Sequence, residues 1–318
     1  MTFSRIYSDI SERCPYLMEN TFFIVGPTGA GKSELAADVA PEIGAEIISA
    51  DAFQIYRGLD LLTAKPEPDA LANVPHHLIG AVSDSEEMNV EKFRQRALRT
   101  IVEIHSRGKP VLVVGGSGLY IKALTHGLSS MPSAKPDLRA QLNELSLQDL
   151  QKKLTGLNPK AAGAIDLKNR RRLVRAIELC LLGERPGDRT EWAREVDVSG
   201  VFVFRDRDDL YRRINHRVEA IFEKGVIEEV QAAGAMSSTA SKVIGLREIR
   251  ELLAGKSSIV QCLAQIQQAT RRYAKRQLTW FRRQTNFQPL NLSLLTHNEA
   301  VERISQLVKA AGVAPGND

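Results

Sequence analysis

The chain has 318 residues, 43% of them hydrophobic and 25% charged, with a formal net charge of +5. That is the composition of a soluble globular protein, long enough for two domains or for one α/β domain with a sizeable insertion. No apolar run approaches the roughly 18 residues of a membrane span, and Cys14, Cys180 and Cys262 lie far apart, so reduced thiols of a cytoplasmic protein are expected, not a disulfide or zinc framework.

Residues 1–20 carry mixed charges and no apolar stretch, and read as an irregular extension. Thr21–Val25 is a short apolar strand ending at Gly26, and Glu34–Val39 reads as a helix. Ile43–Ser49 looks like a second buried strand, closing at Asp51. Val90, Phe93, Ala97, Ile101 and Ile104 recur at three and four residues and predict a helix over Asn89–Arg107. Val111–Val114 is then a third strand, running into Gly115-Gly-Ser-Gly118. Strand and helix alternating at these spacings imply a parallel sheet with crossover helices.

From about 130 to 199 the buried strands stop. Helical runs at Asp137–Asn143, Leu147–Leu154 and Arg170–Leu182 alternate with Pro132, Pro136, Pro159 and Pro186. Val201–Phe204 resumes the α/β pattern, and helices follow over Arg207–Lys224, Ile227–Ala233, Leu246–Leu253, Ser258–Arg283 and Glu299–Ala311. The expected fold is α/β: a P-loop NTPase-like parallel sheet core over 21–129 and 200–318, with a helical insertion domain over 130–199 and a helix-rich C-terminal part.

Gly26-Pro27-Thr28-Gly29-Ala30-Gly31-Lys32-Ser33 matches G-x-x-x-x-G-K-[ST] in full, between a strand and a helix. Such a loop turns consecutive N–H groups inward around a phosphate, and the dipole of the following helix adds positive potential. Lys32 supplies a point charge for the terminal phosphate, and the Ser33 hydroxyl is placed to ligate Mg²⁺. A P-loop NTPase also needs an apolar strand ending in Asp. Val111–Val114 ends in Gly115-Gly116 instead, but the Ile47–Asp51 strand does end in an acid, so a small-molecule kinase using ATP, with Asp51 as base, remains an alternative.

Nine segments, in chain order, resemble the tRNA dimethylallyltransferases, the bacterial tRNA-prenylating family: Gly26–Ser33, Ile48–Arg57, Thr63–Pro66, Pro75–Leu78, Val114–Tyr120, Arg172–Glu178, Leu210–Arg217, Ile244–Arg247 and Thr270–Arg282. The resemblance implies transfer of a five-carbon chain from dimethylallyl diphosphate to the exocyclic amine of the adenosine just 3′ of the anticodon, in tRNAs reading codons that begin with U. The chain departs from the family pattern at Thr28-Gly-Ala-Gly31, where Ala-Ser-Gly commonly follows the threonine. Ala52 replaces a serine, Leu61-Leu62 an Ile-Gly, and Ser117 a threonine, keeping the hydroxyl.

By the same resemblance Asp51 accepts the proton of the attacking amine; a plain cap or loop role is its alternative. Ser117 would steady a diphosphate oxygen. Arg217 matches the family's diphosphate arginine, but Arg213 lies one turn away on the same face, so the two are not separated. Family correspondence sets Asp51, Ala52, Phe53 and Gln54 against the extracted base region together with Ser117 and with Ser241, Lys242, Val243, Ile244, Gly245 and Leu246. Arg139, Arg171, Arg172 and Arg175 would touch the anticodon stem-loop.

The charge is uneven, which supports a nucleic-acid partner independently. Lys168–Arg175 is one basic block; over Arg271–Arg283, one helix presents Arg272, Lys275 and Arg276 among two cationic rows, with Tyr273, Trp280 and Phe281 interleaved for packing or stacking. A prenyltransferase acting on free AMP or ADP should lack both the insertion and this helix. A non-catalytic RNA-binding protein would not need Asp51 beside an intact P-loop. A monomer is expected.

Overall fold

The computed structural model describes residues 18–128, 135–184, 198–284 and 286–315; the extension before Met18, Cys14, Pro132 and Pro186 lie outside them. The chain splits into two compact units, Met1–Thr125 with Val196–Asp318, and His126–Glu195. In chain order the elements are β1 (Thr21–Val25), α1 (Lys32–Glu42), β2 (Glu46–Ser49), α2 (Pro68–Asn73), β3 (His76–His77), α3 (Val90–His105), β4 (Val111–Gly115) and α4 (Gly118–His126). There follow α5 (Pro136–Glu144), α6 (Leu147–Leu157), α7 (Pro159–Ala164), α8 (Arg170–Leu181), β5 (Ser199–Phe204), α9 (Arg207–Glu223), α10 (Val226–Ala232), α11 (Leu246–Leu253), α12 (Ile259–Gln284), β6 (Gln288–Asn291) and α13 (His297–Ala310).

The six strands form one parallel sheet in the order β3-β2-β4-β1-β5-β6. Its central strands are apolar without alternation because both faces are covered. One face buries Phe23, Val25, Ile48, Val113 and Phe202 with Phe93 and Ile101 of α3 and Phe281 of α12. The other buries Phe22, Ile24, Ile47, Leu112 and Val201 with Leu35 and Val39 of α1 and Ile304 of α13. A third cluster packs Leu62 against Val218 of α9, Val226 and Val230 of α10, Ile249 of α11 and Ile266 of α12. The other unit is a small helical cluster of α5–α8 around Leu142, Leu150, Leu154, Leu173 and Ile177.

Several expectations need correction. β2 begins at Glu46 and not at Ile43, because α1 runs on to Glu42 and the chain turns through Gly44 at φ 65°. The Val111–Gly115 strand is the fourth, since the two-residue β3 pairs with β2 before it. The short elements α2, α4, α7 and β6 went unread; α7 begins at the Pro159 that reads as a breaker, with Asn158 as its N-cap.

Candidate active site

Parallel strands end on one side of the sheet, and loops leaving β1, β2 and β4 there converge. Val25 pairs with Gly115 and Ser49 with Val114, so the loop Gly26–Ser33, the Ala50-Asp51 turn and Gly115–Ser117 start at one level. The cradle needs left-handed backbone at Gly31, φ 102°, where α1 begins.

Three arginines hold this loop at consecutive residues. Arg217 of α9 donates to the Thr28 hydroxyl at 3.0 Å, Arg213 to the Gly29 carbonyl at 3.1 Å, and Arg205, just past β5, to the Ala30 carbonyl at 2.9 Å. The geometry separates the two arginines that sequence left together. Arg217 lines the same cleft as Asp51, whereas Arg213 pairs at the rim with exposed Glu34 at 3.1 Å. Burial lowers the Arg217 pKa, Asp51 opposes that, and Arg213 adds to it. Lys32 donates to the Pro27 carbonyl at 2.8 Å; burial pulls its ammonium down to about 8, against the pull of Asp51 and with the push of Arg217.

Asp51 serves two ends. Its Oδ1 accepts from the Phe53 and Gln54 amides at 2.8 and 3.3 Å, which clamps the carboxylate in the cleft wall. The loop role held as the alternative for Asp51 is present, since these two bonds hold the turn over 52–55, and it fixes the orientation of the remaining oxygen. The Ser117 Oγ accepts from the Ala52 amide at 2.9 Å, and the residue is buried. Tyr273 of α12 lines the cleft beside Ser117; burial first, then Asp51, raises its phenol pKa, so it stays a neutral O–H.

From Asp51, Thr28 and Arg217 the cleft runs into apolar walls: Leu61, Leu62, Val218, Ile221, Val243, Ile244 and Ile266, with Phe53 at its side. Leu61 and Leu62, which depart from the family pattern, are held by their amides, both donating to the Glu229 carboxylate at 2.9 Å.

Other expected contacts are already occupied. The Gln54 amide donates to the Ala64 carbonyl at 2.8 Å and accepts from Ser49 at 3.0 Å, so it builds the loop. The Thr28 amide is taken by Gln277 at 2.9 Å, which removes it from the set of donors turned toward a phosphate. Val243 and Ile244 wall the cleft, Gly245 caps α11, Leu246 is buried, and Ser241 and Lys242 are exposed.

In the insertion unit, Arg139 grips fully buried Glu178 through two bonds of 2.6 and 2.7 Å, and Arg175 reaches the same carboxylate at 3.4 Å. Arg171 and Arg172 are exposed. On α12, Arg272, Lys275 and Arg276 are exposed as expected, but Leu278 turns inward, Phe281 is core, and Arg271 bonds Asn215 at 2.6 Å. Arg205 and Gln277 carry no role in the sequence reading, and Tyr273, expected to pack or stack, lines the cleft. The available signal was a polar residue, Gln277, on the buried stripe Cys262, Ile266, Thr270, Ala274 and Phe281.

A profile of the IPP transferase family matches residues 54–284. A tRNA dimethylallyltransferase of Akkermansia muciniphila is 41% identical over 266 residues, 83% of this chain and 90% of that one. The crystal structure of a full-length tRNA isopentenylpyrophosphate transferase from Bacillus halodurans superposes with a TM-score of 0.70 at 34% identity, covering 92% of this chain and 96% of its own. A eukaryotic dimethylallyltransferase crystallised acting on tRNA shares the fold, with a TM-score of 0.78 at 22% identity over 94% of this chain and 81% of that one. A parallel core with its cradle, clamped carboxylate and apolar cleft, and these matches over most of its length, agree: the chain belongs to the IPP transferase family.

Proposed function

We propose that the protein transfers a dimethylallyl group from dimethylallyl diphosphate to the N6 amine of the adenosine 3′ of the anticodon, in tRNAs reading codons that begin with U. One observation carries this reading: a clamped carboxylate, Asp51, lines the same cleft as Arg217, which bonds the phosphate loop from α9, and apolar walls continue from them. In the reaction, the N6–C1 bond forms as the allylic C1–O bond breaks. The N6 proton passes to Asp51, and the electron pair of the broken bond goes to the diphosphate. An exocyclic amine delocalises its lone pair into the ring, so it needs that acceptor. Arg217, which lines the cleft, together with Lys32, Ser117 and the loop amides not already bonded, would stabilise the growing charge.

Ser33 is exposed at the start of α1 with no side-chain partner among the described residues, so its hydroxyl is free for Mg²⁺. No group of three His, Cys, Asp or Glu among the described residues would hold a metal by itself, so Ser33 and diphosphate oxygens would share it. A bound Mg²⁺ would supply charge neutralisation for the leaving diphosphate.

The target base is stacked in its loop, so it has to be extracted to reach Asp51. The exposed Arg272, Lys275 and Arg276 suit a polyanion. Incubation with labelled dimethylallyl diphosphate tests the reading directly. Label in unmodified tRNA, at the adenosine 3′ of the anticodon, is the expected result. Label in AMP, or phosphate transfer from ATP with no label in RNA, would overturn it.

A further inference from the structure

Helix α12 turns Arg272, Lys275 and Arg276 to solvent and Gln277 inward, where it is 6% exposed. The Gln277 amide bridges two loops that leave different strands. Its Oε1 accepts from the Thr28 N–H at 2.9 Å, and its Nε2 donates to the Gly116 carbonyl at 2.8 Å. Gly116 makes the approach possible, since a Cβ there would stand 2.4 Å from Nε2. Removing a buried amide with both ends in use would leave two backbone groups unpaired. Thr28 belongs to the proposed diphosphate cradle and Gly116 precedes Ser117, so this bridge ties the cradle to the loop that carries the hydroxyl, beyond the Gly26 N–H bond to the Gly115 carbonyl. Tyr273, one turn earlier, stands beside both Gln277 and Ser117. The helix itself is docked by Ala274 and Phe281, both fully buried, and does not depend on the bridge.

We propose that Gln277 is a positioning residue that holds the cradle and Ser117 at one separation, so that both grip the leaving diphosphate as the allylic bond breaks. The role rests on the prenyl-transfer reading above. It is tested in the full-length protein with Gln277→Met, which keeps length and bulk and removes both hydrogen bonds. The turnover number for transfer is expected to fall about 100-fold while KM for tRNA stays unchanged. Amide exchange at Thr28 should speed up, and affinity for inorganic diphosphate should drop. Gln277→Glu keeps the acceptor for Thr28 and loses the donor to Gly116, so Thr28 protection should return while turnover stays low. A normal turnover number, a rise in KM for tRNA alone, or unaltered Thr28 exchange in a folded Gln277→Met protein would overturn the role. Should that variant not fold, normal turnover in Gln277→Glu overturns it. A wild-type protein inactive with dimethylallyl diphosphate would sink the transfer reading instead, and Thr28 exchange and diphosphate affinity would still decide the bridge.

Discussion

Helices α8 and α12 look alike on paper: Arg170, Arg171, Arg172 and Arg175 on one, Arg271, Arg272, Lys275 and Arg276 on the other. Folded, they differ. On α8, Arg170 closes the end of α5 by donating to the Asn143 and Leu145 carbonyls at 2.5 Å, and Arg175 joins Arg139 on buried Glu178. Only Arg171 and Arg172 of that set stay exposed. On α12, Arg271 bonds Asn215 and Arg276 lies 5.5 Å over the Tyr273 ring, yet Arg272, Lys275 and Arg276 all face solvent and none is tied to a buried acid. A cation is available to a phosphate only where no buried acid or open helix end already claims it. The number of arginines in a block therefore says little about its affinity for RNA.

The largest effect expected lies in neither block and marks the limit of the comparison. Asp51→Asn should lower the transfer rate between about 100- and 10,000-fold with tRNA affinity nearly intact, read by single-turnover kinetics and filter binding. Lost affinity with normal turnover would move Asp51 to binding.

Next comes Arg139→Ala, which strips the bidentate partner from buried Glu178. It should lower the stability of the insertion by on the order of 2 kcal/mol, discounted for the exposure of Arg139, with a smaller change in the salt dependence of tRNA binding. A large change in salt slope at unchanged melting temperature would make Arg139 a phosphate contact and break the contrast. Arg272→Ala with Arg276→Ala should do the reverse. It should weaken tRNA binding and lower the slope of log affinity against log salt by about 1.5, without moving the melting temperature. Arg171→Ala with Arg172→Ala offers the sharpest test, because it should follow the α12 pair although its residues sit in the α8 block.

The smallest effect expected is a pH dependence. Burial lowers the Lys32 ammonium to about 8, so it discharges as pH rises through that value. The affinity for inorganic diphosphate should therefore weaken between about pH 7 and 9, and Lys32→Met should flatten the profile. Calorimetric titration across that range checks it.

The phosphate loop was legible because its chemistry is local: eight consecutive residues between a strand and a helix define it. Asp51 was legible by its place at the end of an apolar strand. The long helices were legible by their apolar period, and α3 and α9 came within two residues of the expected bounds. The two-residue β3 and the polar edge strand β6 carry too little period to read, and both are decided by the neighbours they pair with. Arg205 and Gln277 were missed because their partners lie 175 and 249 residues away.

The sequence by itself determined the parallel α/β core, the G-x-x-x-x-G-K-S loop between strand and helix and a base candidate, because each rests on short-range spacing and on which side chains must leave water. Only the tertiary structure decided which arginine enters the cleft, which cations are tied to Glu178, and that one glutamine spans the two loops at the cleft. Those are questions of distance between residues far apart in the chain. Packing answers them, since a buried polar group takes whichever partner the fold brings within reach.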